Sequence, residues 1–348
     1  MLKSLRLSAR VAYVSVLAWT GCLWWAKRQL RRSGAVITLA FHRVLDESSF
    51  AKTNSLQGIL VKEQTFRELV AHVTRHFQPI ALEDAIPGKP SQKIKVAFTF
   101  DDGWRDNYTV ALPIARASGL PFTVFVCPGL SGRIEPFWPE HAYSLLRALR
   151  KEQNDSEIVA MIEGLKHLPS EERERYLASL REEAILHQVM PQPSGEDRVL
   201  SSAEIVEMAK SGVSFGSHTH THQILTTISM ESVELELAQS KLAIEKLLGR
   251  PCTTLAYPNG DWSPEIAHIA GRVGFRTAVT TQRGAWTQAS DTLAIPRSYV
   301  CEAGVTGLHG GFSPAMLEYK VFWLAWRAMK RPNNSIAWML SRRSEARS

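Results

Sequence analysis

The sequence predicts an α/β protein built around a parallel sheet or barrel. Short apolar segments, typical of buried strands, alternate with segments of helical periodicity over most of the 348 residues. Two motifs rich in carboxylates and histidines, "TFDDG" and "SHTHTH", directly follow two of these apolar segments. Active sites of parallel α/β proteins lie at the carboxyl ends of the strands. The two motifs therefore predict a functional site at one edge of the sheet.

The predicted elements follow one another in a regular order. Strands are predicted at 35–42, 93–100, 121–127, 212–217, 253–258 and 276–281. Helices are predicted near 64–76, 104–119, 230–248 and 264–273. Residues 138–200 interrupt this alternation with a charged segment that has no strand pattern. We interpret that segment as a helical insertion, either a lid over the site or a structural elaboration.

The basic charge of the protein lies at its two ends. Residues 1–32 contain seven bases and no acid, and residues 313–348 contain seven bases and two acids. Because the whole chain has a net charge of +7, the central residues are mildly acidic. This distribution argues against a nucleic-acid-binding core and favours ends that meet an anionic surface such as a membrane.

Both ends have the composition of membrane-surface helices. Residues 11–26 form an uncharged run of 16 residues, about 24 Å long as a helix and marginal for a bilayer core of roughly 30 Å. We expect a helix in or on the membrane; a signal peptide and a helix docked on the protein itself are the alternatives. Residues 313–331 form a basic, tryptophan-rich helix that suits a membrane surface or closes the core. Six of the ten tryptophans lie in the two ends: Trp19, Trp24, Trp25, Trp323, Trp326 and Trp338. The expected location is the cell membrane, with the cytoplasmic face favoured.

The adjacent carboxylates of Asp101 and Asp102 end a predicted strand. Side chains at such a position point different ways, so one carboxylate can bind a cation while the other remains free as a base. Gly103 allows the backbone to turn close to a ligand. The motif alone is weak evidence for function, because turns use Asp and Gly freely.

Three histidines, His218, His220 and His222, alternate after another predicted strand. A strand would place all three on one face, whereas a turn of helix would bring only His218 and His222 together. We expect the helical turn, because two imidazoles at this spacing are a common zinc-binding arrangement. Asp102 would complete a set of two histidines and one carboxylate, suited to Zn²⁺ or another divalent ion that activates water.

"TFDDG", "SHTHTH" and "LAYPNGDW" together resemble the motifs of the polysaccharide deacetylase family, also called the NodB-homology family or carbohydrate esterase family 4. The resemblance covers residues 36–312. It implies an irregular barrel of seven strands, (β/α)7, and removal of acetyl groups from sugars with the help of a divalent metal. The expected organisation is an N-terminal helical segment (1–32), the deacetylase domain (33–312) and a C-terminal helical tail (313–348).

The resemblance also implies roles for individual residues. Asp101 corresponds to the catalytic base, and Asp102, His218 and His222 to the metal ligands. His220 falls on a variable position. The backbone N–H of Tyr257 is expected to stabilise the oxyanion. The expected substrate-binding residues are Trp104, Tyr257, Pro258 and Asn259.

This sequence departs from the family pattern at two points. Many members carry an arginine that orients the base where this chain has Ala256, and we expect Arg297 in "IPRSY" to supply that charge. The late histidine motif is unclear, with His309 in "GLHGG" as a weak match. The early motif "FHRV" resembles the "YHxV" start of one branch of the family. We therefore prefer His42 over His309 as the general acid.

The leading functional hypothesis is a metal-dependent hydrolase that removes N-acetyl groups from amino sugars of a polysaccharide or a lipid-linked glycan. We expect one Zn²⁺, with Co²⁺, Ni²⁺ or Mn²⁺ as alternatives. A deformylase or amidase that acts on a lipid-linked amino sugar is a second hypothesis. An inactive member that binds glycan or serves as a membrane scaffold is a third, which the missing arginine at Ala256 keeps open.

Overall fold

A computed structural model describes residues 2–134, 137–150, 152–192 and 197–330 of the protein. The strands are β1 (Val36–Phe41), β2 (Arg43–Leu45), β3 (Leu60–Lys62), β4 (Gln78–Ile80), β5 (Lys95–Phe100), β6 (Phe122–Val126), β7 (Ser214–Ser217), β8 (Thr254–Ala256), β9 (Thr277–Val279) and β10 (Ser298–Tyr299). The helices are α1 (Leu2–Trp19), α2 (Cys22–Arg32), α3 (Glu47–Lys52), α4 (Glu63–His76), α5 (Leu112–Ala117), α6 (Trp138–Leu149), α7 (Asp155–Leu165), α8 (Ser170–Leu186), α9 (Ser202–Lys210), α10 (Met230–Leu248), α11 (Pro264–Val273), α12 (Glu302–Val305), α13 (Pro314–Glu318) and α14 (Leu324–Met329). Trp338 and the other tail residues beyond Lys330 lie outside the described residues.

The strands form a curled parallel sheet in the order β10-β1-β5-β6-β7-β8-β9, with β4 paired to the start of β5. The segment 292–299 links the two edges of this sheet. The carbonyl of Thr292 accepts a hydrogen bond from the backbone N–H of Ala278 in β9, and Ser298 pairs with Leu39 in β1. The seven strands of this path, with β4 as an additional strand beside β5, match the arrangement predicted for the irregular (β/α)7 barrel.

Apolar residues on both faces explain why β1 and β5 lie in the interior of the sheet rather than at its edge. All six residues of β1 are buried, as is typical of parallel strands covered on both sides. The ring of Phe41 stacks on Phe98 and Phe100, and Phe66 of α4 packs edge-on against it. The backbone N–H of Asp101 then bonds to the carbonyl of Phe41 at 2.9 Å, which fixes the position at which the "TFDDG" loop leaves the sheet.

The predicted insertion is helical, as expected. Helices α6, α7 and α8 pack on one another around a small apolar core of their own, which includes Leu145, Ile162 and Leu180. The insertion also reaches the end of the sheet where the functional motifs lie. Phe137 lies 4.7 Å from the ring of His222, measured between ring centroids, and Trp104 forms an isolated bridge with Val199.

The two ends of the chain meet in space. Helix α2 buries Leu23, Ala26 and Leu30 against the protein. Lys27 forms an ion pair with Glu318 at 2.6 Å, so the N-terminal helices are tied to the α13 region. Among the described residues no single helix is long and apolar enough to cross a membrane, although α1 and α2 together, bent by 67°, satisfy length and composition.

Candidate metal and catalytic site

A left-handed turn after β5 separates the two adjacent aspartates. Asp102 and Gly103 have φ values of 71° and 65°, a region that costs energy for a residue with a side chain. A Cβ atom on Gly103 would lie 2.8 Å from Cγ1 of Val126, so only glycine fits here. The turn directs the carboxylate of Asp101 towards Arg297 and that of Asp102 towards the histidine loop.

The predicted helical turn at 218–222 is wrong, and so is the alternative of a continued strand. Residues 218–222 form a loop in which Thr219 and His222 have φ values of 65° and 63°. The carboxylate of Glu236 accepts hydrogen bonds from the backbone N–H groups of His220 and Thr221, both at 2.8 Å. Side chains thus replace the backbone hydrogen bonds that a helix would have supplied, which is why spacing alone did not predict the local structure.

This loop still brings His218 and His222 together. Nε2 of His218 lies 3.4 Å from Oδ1 of Asp102, and Nε2 of His222 lies 3.2 Å from the same oxygen. The carbonyl oxygen of Ala256 lies 2.8 Å from Nδ1 of His218. Because a carbonyl can only accept, Nδ1 carries a proton and Nε2 faces Asp102, where the neutral ring would offer its lone pair to a cation.

The donor set fits a divalent cation. Asp102, His218 and His222 can each offer one ligand atom, and the three atoms lie within 4.8 Å of one another. Oδ1 of Asp102 is buried and has no hydrogen-bond partner among the described residues, which is costly unless a cation occupies the space between the three groups. Two imidazoles and one carboxylate with open positions suit Zn²⁺ and related divalent ions.

His220 lies outside this cluster, as the sequence analysis expected. A Cβ atom on Gly129 would lie 2.9 Å from the ring of His220, and the backbone N–H of Gly129 bonds to the His220 carbonyl at 3.0 Å. The ring therefore packs against the loop after β6. Thr219 precedes His220 and His222 follows it, and both have left-handed φ values. These two residues reverse the direction of the chain around His220.

The charge expected from Arg297 reaches Asp101. Its guanidinium donates two hydrogen bonds to the Asp101 carboxylate, both at 2.7 Å, and a third to Thr280 through its carbonyl oxygen at 2.9 Å. Burial alone would raise the pKa of Asp101, but the charge and hydrogen bonds of Arg297 outweigh it and lower that pKa. Asp101 is therefore ionised at neutral pH, as a general base requires. The ion pair expected between Arg297 and Asp101 is thus present.

Trp104 does not face a substrate cleft, contrary to expectation. Its side chain is completely buried, and its indole N–H donates to Oδ2 of Asp102 at 3.1 Å. The guanidinium of Arg43 stacks 4.3 Å from the indole ring centroid and bonds to Asp106 at 2.9 Å. Trp104 thus fixes one carboxylate oxygen and leaves the other free for a cation. Sequence reasoning missed Arg43, although it lies within the quoted "FHRV" motif.

The structure brings His42 to the site and leaves His309 away from it. Nε2 of His42 lies 4.0 Å from Oδ2 of Asp102, and its side chain is 18% exposed. Burial lowers the pKa of His42, with the carboxylates of Asp102 and Asp101 partly opposing that effect. His309 is exposed in a turn closed by a hydrogen bond between Gly307 and Gly311. The preference for His42 as a proton donor is therefore consistent with the geometry.

The motif "LAYPNGDW" differs from expectation in the roles of its residues. The backbone N–H of Tyr257 donates to the carbonyl of Val279 at 3.2 Å, so it is already engaged within the sheet. The Tyr257 side chain is buried and its hydroxyl bonds to the Leu293 carbonyl at 2.9 Å, and Pro258 is also buried. Tyr257 and Pro258 are therefore structural here. Asn259 is only partly buried, and its φ of 57° turns the chain sharply after β8.

The pKa values of the two candidate histidine ligands shift in opposite directions. Burial would raise the pKa of Asp102, but the facing His42, His218 and His222 hold it well below its usual range. Burial lowers the pKa of His222, whereas for His218 the nearby carboxylates outweigh burial and raise it. The site is thus built around an ionised Asp102, which suits a cation.

The chain is similar to known proteins in sequence and in fold. The sequence model of the family described as polysaccharide deacetylase matches residues 88–278. The chain belongs to the polysaccharide deacetylase family. A curated relative that carries the same family name, YxkH of Bacillus subtilis (strain 168), is 25% identical over 219 residues. That match covers 63% of this chain and 55% of the relative, so the chain spans about half the length of that protein.

Two solved structures share the fold of this chain. The Streptococcus pyogenes deacetylase PplD, in complex with acetate, is similar with a TM-score of 0.53 and 18% identity, over 80% of this chain and 99% of that one. BC0361, a polysaccharide deacetylase from Bacillus cereus, gives a TM-score of 0.54 and 19% identity, over 79% of this chain and 67% of that one. At this level of identity the likeness shows the fold only.

The matched range separates two groups of site residues. Asp101, Asp102, His218 and His222 lie within 88–278, whereas His42 and Arg297 lie outside it. The roles of these last two residues therefore depend on their positions in the structure rather than on the family match.

Proposed function

We propose that this polysaccharide deacetylase hydrolyses N-acetyl groups from amino sugars of a glycan with the help of one divalent metal ion. The observation that carries the proposal is the buried cluster of Asp102, His218 and His222 beside the ion-paired Asp101. Family membership supports the reaction class. Zn²⁺ is the proposed ion, with Co²⁺, Ni²⁺ and Mn²⁺ as alternatives.

Asp102, His218 and His222 would hold the ion. When bound there, it would polarise the amide carbonyl and lower the pKa of a water molecule. Trp104 holds Oδ2 of Asp102, and the carbonyl of Ala256 holds His218, so two of the three ligands are oriented in advance.

Asp101 is the proposed general base. Arg297 keeps it ionised and fixes both of its oxygens, so it can accept a proton from the attacking water. His42 is the proposed donor of a proton to the leaving amine, since it is partly exposed beside Asp102. It can do so only when protonated. Because burial lowers the pKa of His42 below its ordinary value of 6.5, we expect activity to fall as pH rises through that lowered pKa.

The proposed donor to the oxyanion is not the backbone N–H of Tyr257 but that of Asn259. Tyr257 uses its N–H within the sheet, whereas the N–H of Asn259 is not engaged by another described residue. Asn259 lies three residues beyond Ala256, whose carbonyl orients His218. We assign the oxyanion contact to the Asn259 N–H, and this assignment is part of the proposal.

The presence of Arg297 at Asp101 argues for an active enzyme. The hypothesis of an inactive glycan-binding member depended on the missing arginine at Ala256. Arg297 supplies the same charge from another part of the chain. A lipid-linked amino sugar and a free polysaccharide both remain candidate substrates.

The test uses the purified full chain, with and without added Zn²⁺. Acetate and formate release are measured from free and from lipid-linked N-acylated oligosaccharides. We expect metal-dependent acetate release that Asp101→Asn abolishes, and the exposed Asp84→Asn serves as the matched control. Activity that persists in Asp101→Asn would contradict the base assignment. Formate release alone would favour the deformylase hypothesis, and no release from any substrate would favour a binding protein.

A further inference from the structure

Helix α1 exposes an apolar face to solvent. Leu5, Ala9, Ala12, Val16 and Trp19 recur at spacings of four, three, four and three residues, so they lie on one side of the helix. All five are exposed, and the exposed fractions of Val16 and Trp19 are 56% and 89%. At 1.5 Å per residue this face is about 20 Å long. A continuous apolar face of this kind indicates an interaction surface.

The opposite side of α1 is attached to the protein. Val14 and Leu17 are buried, the ring of Tyr13 packs edge-on against Tyr319, and Arg10 bonds to the carbonyl of Ala303 at 2.6 Å. The helix is therefore apolar on both sides. Only one side has a partner within the described residues.

Aromatic side chains extend the exposed face past the bend between α1 and α2. Trp24 is 58% exposed, and the guanidinium of Arg28 lies 5.2 Å from its ring centroid. Trp25 packs edge-on against Trp326 of α14 at 4.7 Å, and Trp323 lies 5.2 Å from Trp326. Tryptophan beside basic side chains is typical of the membrane–water interface.

The charge around this face favours an anionic partner. Residues 1–32 contain no acid, and Arg31 and Arg32 are exposed at the end of α2. Arg327 and Lys330 at the end of α14 are exposed as well. Basic residues near an apolar face match an anionic lipid surface. A second copy of the chain would bring the same charges together and repel.

The fold opposes a membrane-spanning arrangement. Helix α2 could join α1 in a span only by leaving the protein. That would expose Leu23, Ala26 and Leu30, which are at most 4% exposed, and would break the ion pair between Lys27 and Glu318. The 67° bend already places α1 and α2 in different directions.

We propose that the exposed face of α1, with Trp19 and Trp24 at the bend, lies in the headgroup region of an anionic lipid bilayer without crossing it. We call the five residues of α1 and Trp24 the membrane face. The basic residues at the ends of α2 and α14 contact anionic headgroups. This attachment is independent of the proposed deacetylation, and it keeps the folded domain on one side of the bilayer.

The test measures binding of the purified full chain to vesicles of phosphatidylcholine, with and without phosphatidylglycerol, by sedimentation. We expect stronger binding to the mixed vesicles and weakening with added salt. In the double variant Val16→Gln/Trp19→Ser we expect binding to fall by roughly tenfold or more, because two exposed apolar groups no longer enter the interface. The matched control is Leu235→Gln/Leu242→Gln on α10, where both leucines are also exposed, at 58% and 67%.

Three outcomes would overturn the proposal. Equal binding by the double variant and the wild type would show that the membrane face does not contact lipid. If the double variant changed its oligomeric state in light scattering without losing vesicle binding, the membrane face would join two copies of the chain. Retention of the wild type on vesicles after an alkaline carbonate wash would indicate a span. Circular dichroism of both variants checks that a loss of binding is not a loss of folding.

Discussion

Replacing Arg297 with methionine should destabilise the protein and remove the ionised base. Methionine has a similar length but no charge and no donors. The substitution leaves the Asp101 carboxylate buried without its two hydrogen bonds of 2.7 Å. The carbonyl of Thr280 also loses its donor.

The size of the effect follows from burial. The side chains of Arg297 and Asp101 are 0% and 4% exposed, so solvent compensates little for the lost partner. Removing one member of such a buried pair costs about 3–5 kcal/mol in the free energy of unfolding. The exposed pair between Arg272 and Glu234, with side chains 52% and 50% exposed, provides a matched control. Arg272→Met should cost less than about 1 kcal/mol.

The pH dependence has a definite sign. Arg297 lowers the pKa of Asp101, so the stability from this pair is present above the ordinary pKa of an aspartate and is lost as pH falls through the lowered pKa. In Arg297→Met the pKa of Asp101 should rise. The acid limb of the kcat/KM profile should therefore move to higher pH, with kcat/KM at neutral pH reduced by about a hundredfold or more.

Two assays check this prediction. Urea unfolding of the metal-free protein gives the free energy of unfolding, and kcat/KM against pH follows the base. The double variant Asp101→Asn/Arg297→Met removes both charges, and it should regain part of the stability lost in Arg297→Met. If Arg297→Met and Arg272→Met have equal stability and the acid limb does not move, Arg297 does not orient or ionise Asp101.

The remaining predictions concern Trp104, which positions a proposed metal ligand, two histidines of the loop after β7, and one buried acid. Trp104→Phe keeps an aromatic ring but removes the donor to Asp102, so Zn²⁺ affinity, measured by competition with a chelating dye, should fall by about 10–100-fold; unchanged affinity would contradict its positioning role. In the same assay His222→Ala should abolish tight Zn²⁺ binding and His220→Ala should leave it nearly unchanged, and equal losses would contradict the separation of the two histidines. Burial raises the pKa of Glu140 from 4.5 to about 8, so the native state holds its proton more tightly than the unfolded state. The wild type should therefore lose stability relative to Glu140→Gln as pH rises from about 5 to about 8, whereas a gap that does not change with pH would argue against a raised pKa.

The succession of the main strands along the chain and the edge of the sheet that carries the candidate site could be predicted from the sequence. Apolar segments with turns between them predict strands whatever their neighbours, because burial on both faces demands apolar side chains in a parallel sheet. The motifs "TFDDG" and "SHTHTH" then follow strand ends, and carboxyl ends of parallel strands share one edge. The convergence of Asp102 with His218 and His222 follows from those two facts.

The path of the histidine loop could not be predicted in the same way. A spacing of four residues suggests a helix, but the loop uses two left-handed residues and the carboxylate of Glu236 from α10. That carboxylate is distant in sequence. The local pattern therefore predicted which two histidines lie together, but it did so through the wrong conformation.

Sequence alone determined the alternation of strands and helices, the carboxylates and histidines at strand ends, and the basic, tryptophan-rich composition of the two ends. Only the tertiary structure decided their partners. It placed Arg297 on Asp101, buried Trp104 against Asp102, engaged the Tyr257 N–H within the sheet and folded α2 against the last helices. The physical reason is that spacing along the chain fixes which face a side chain occupies. The hydrogen bonds and ion pairs that satisfy a buried group come from residues far away in sequence.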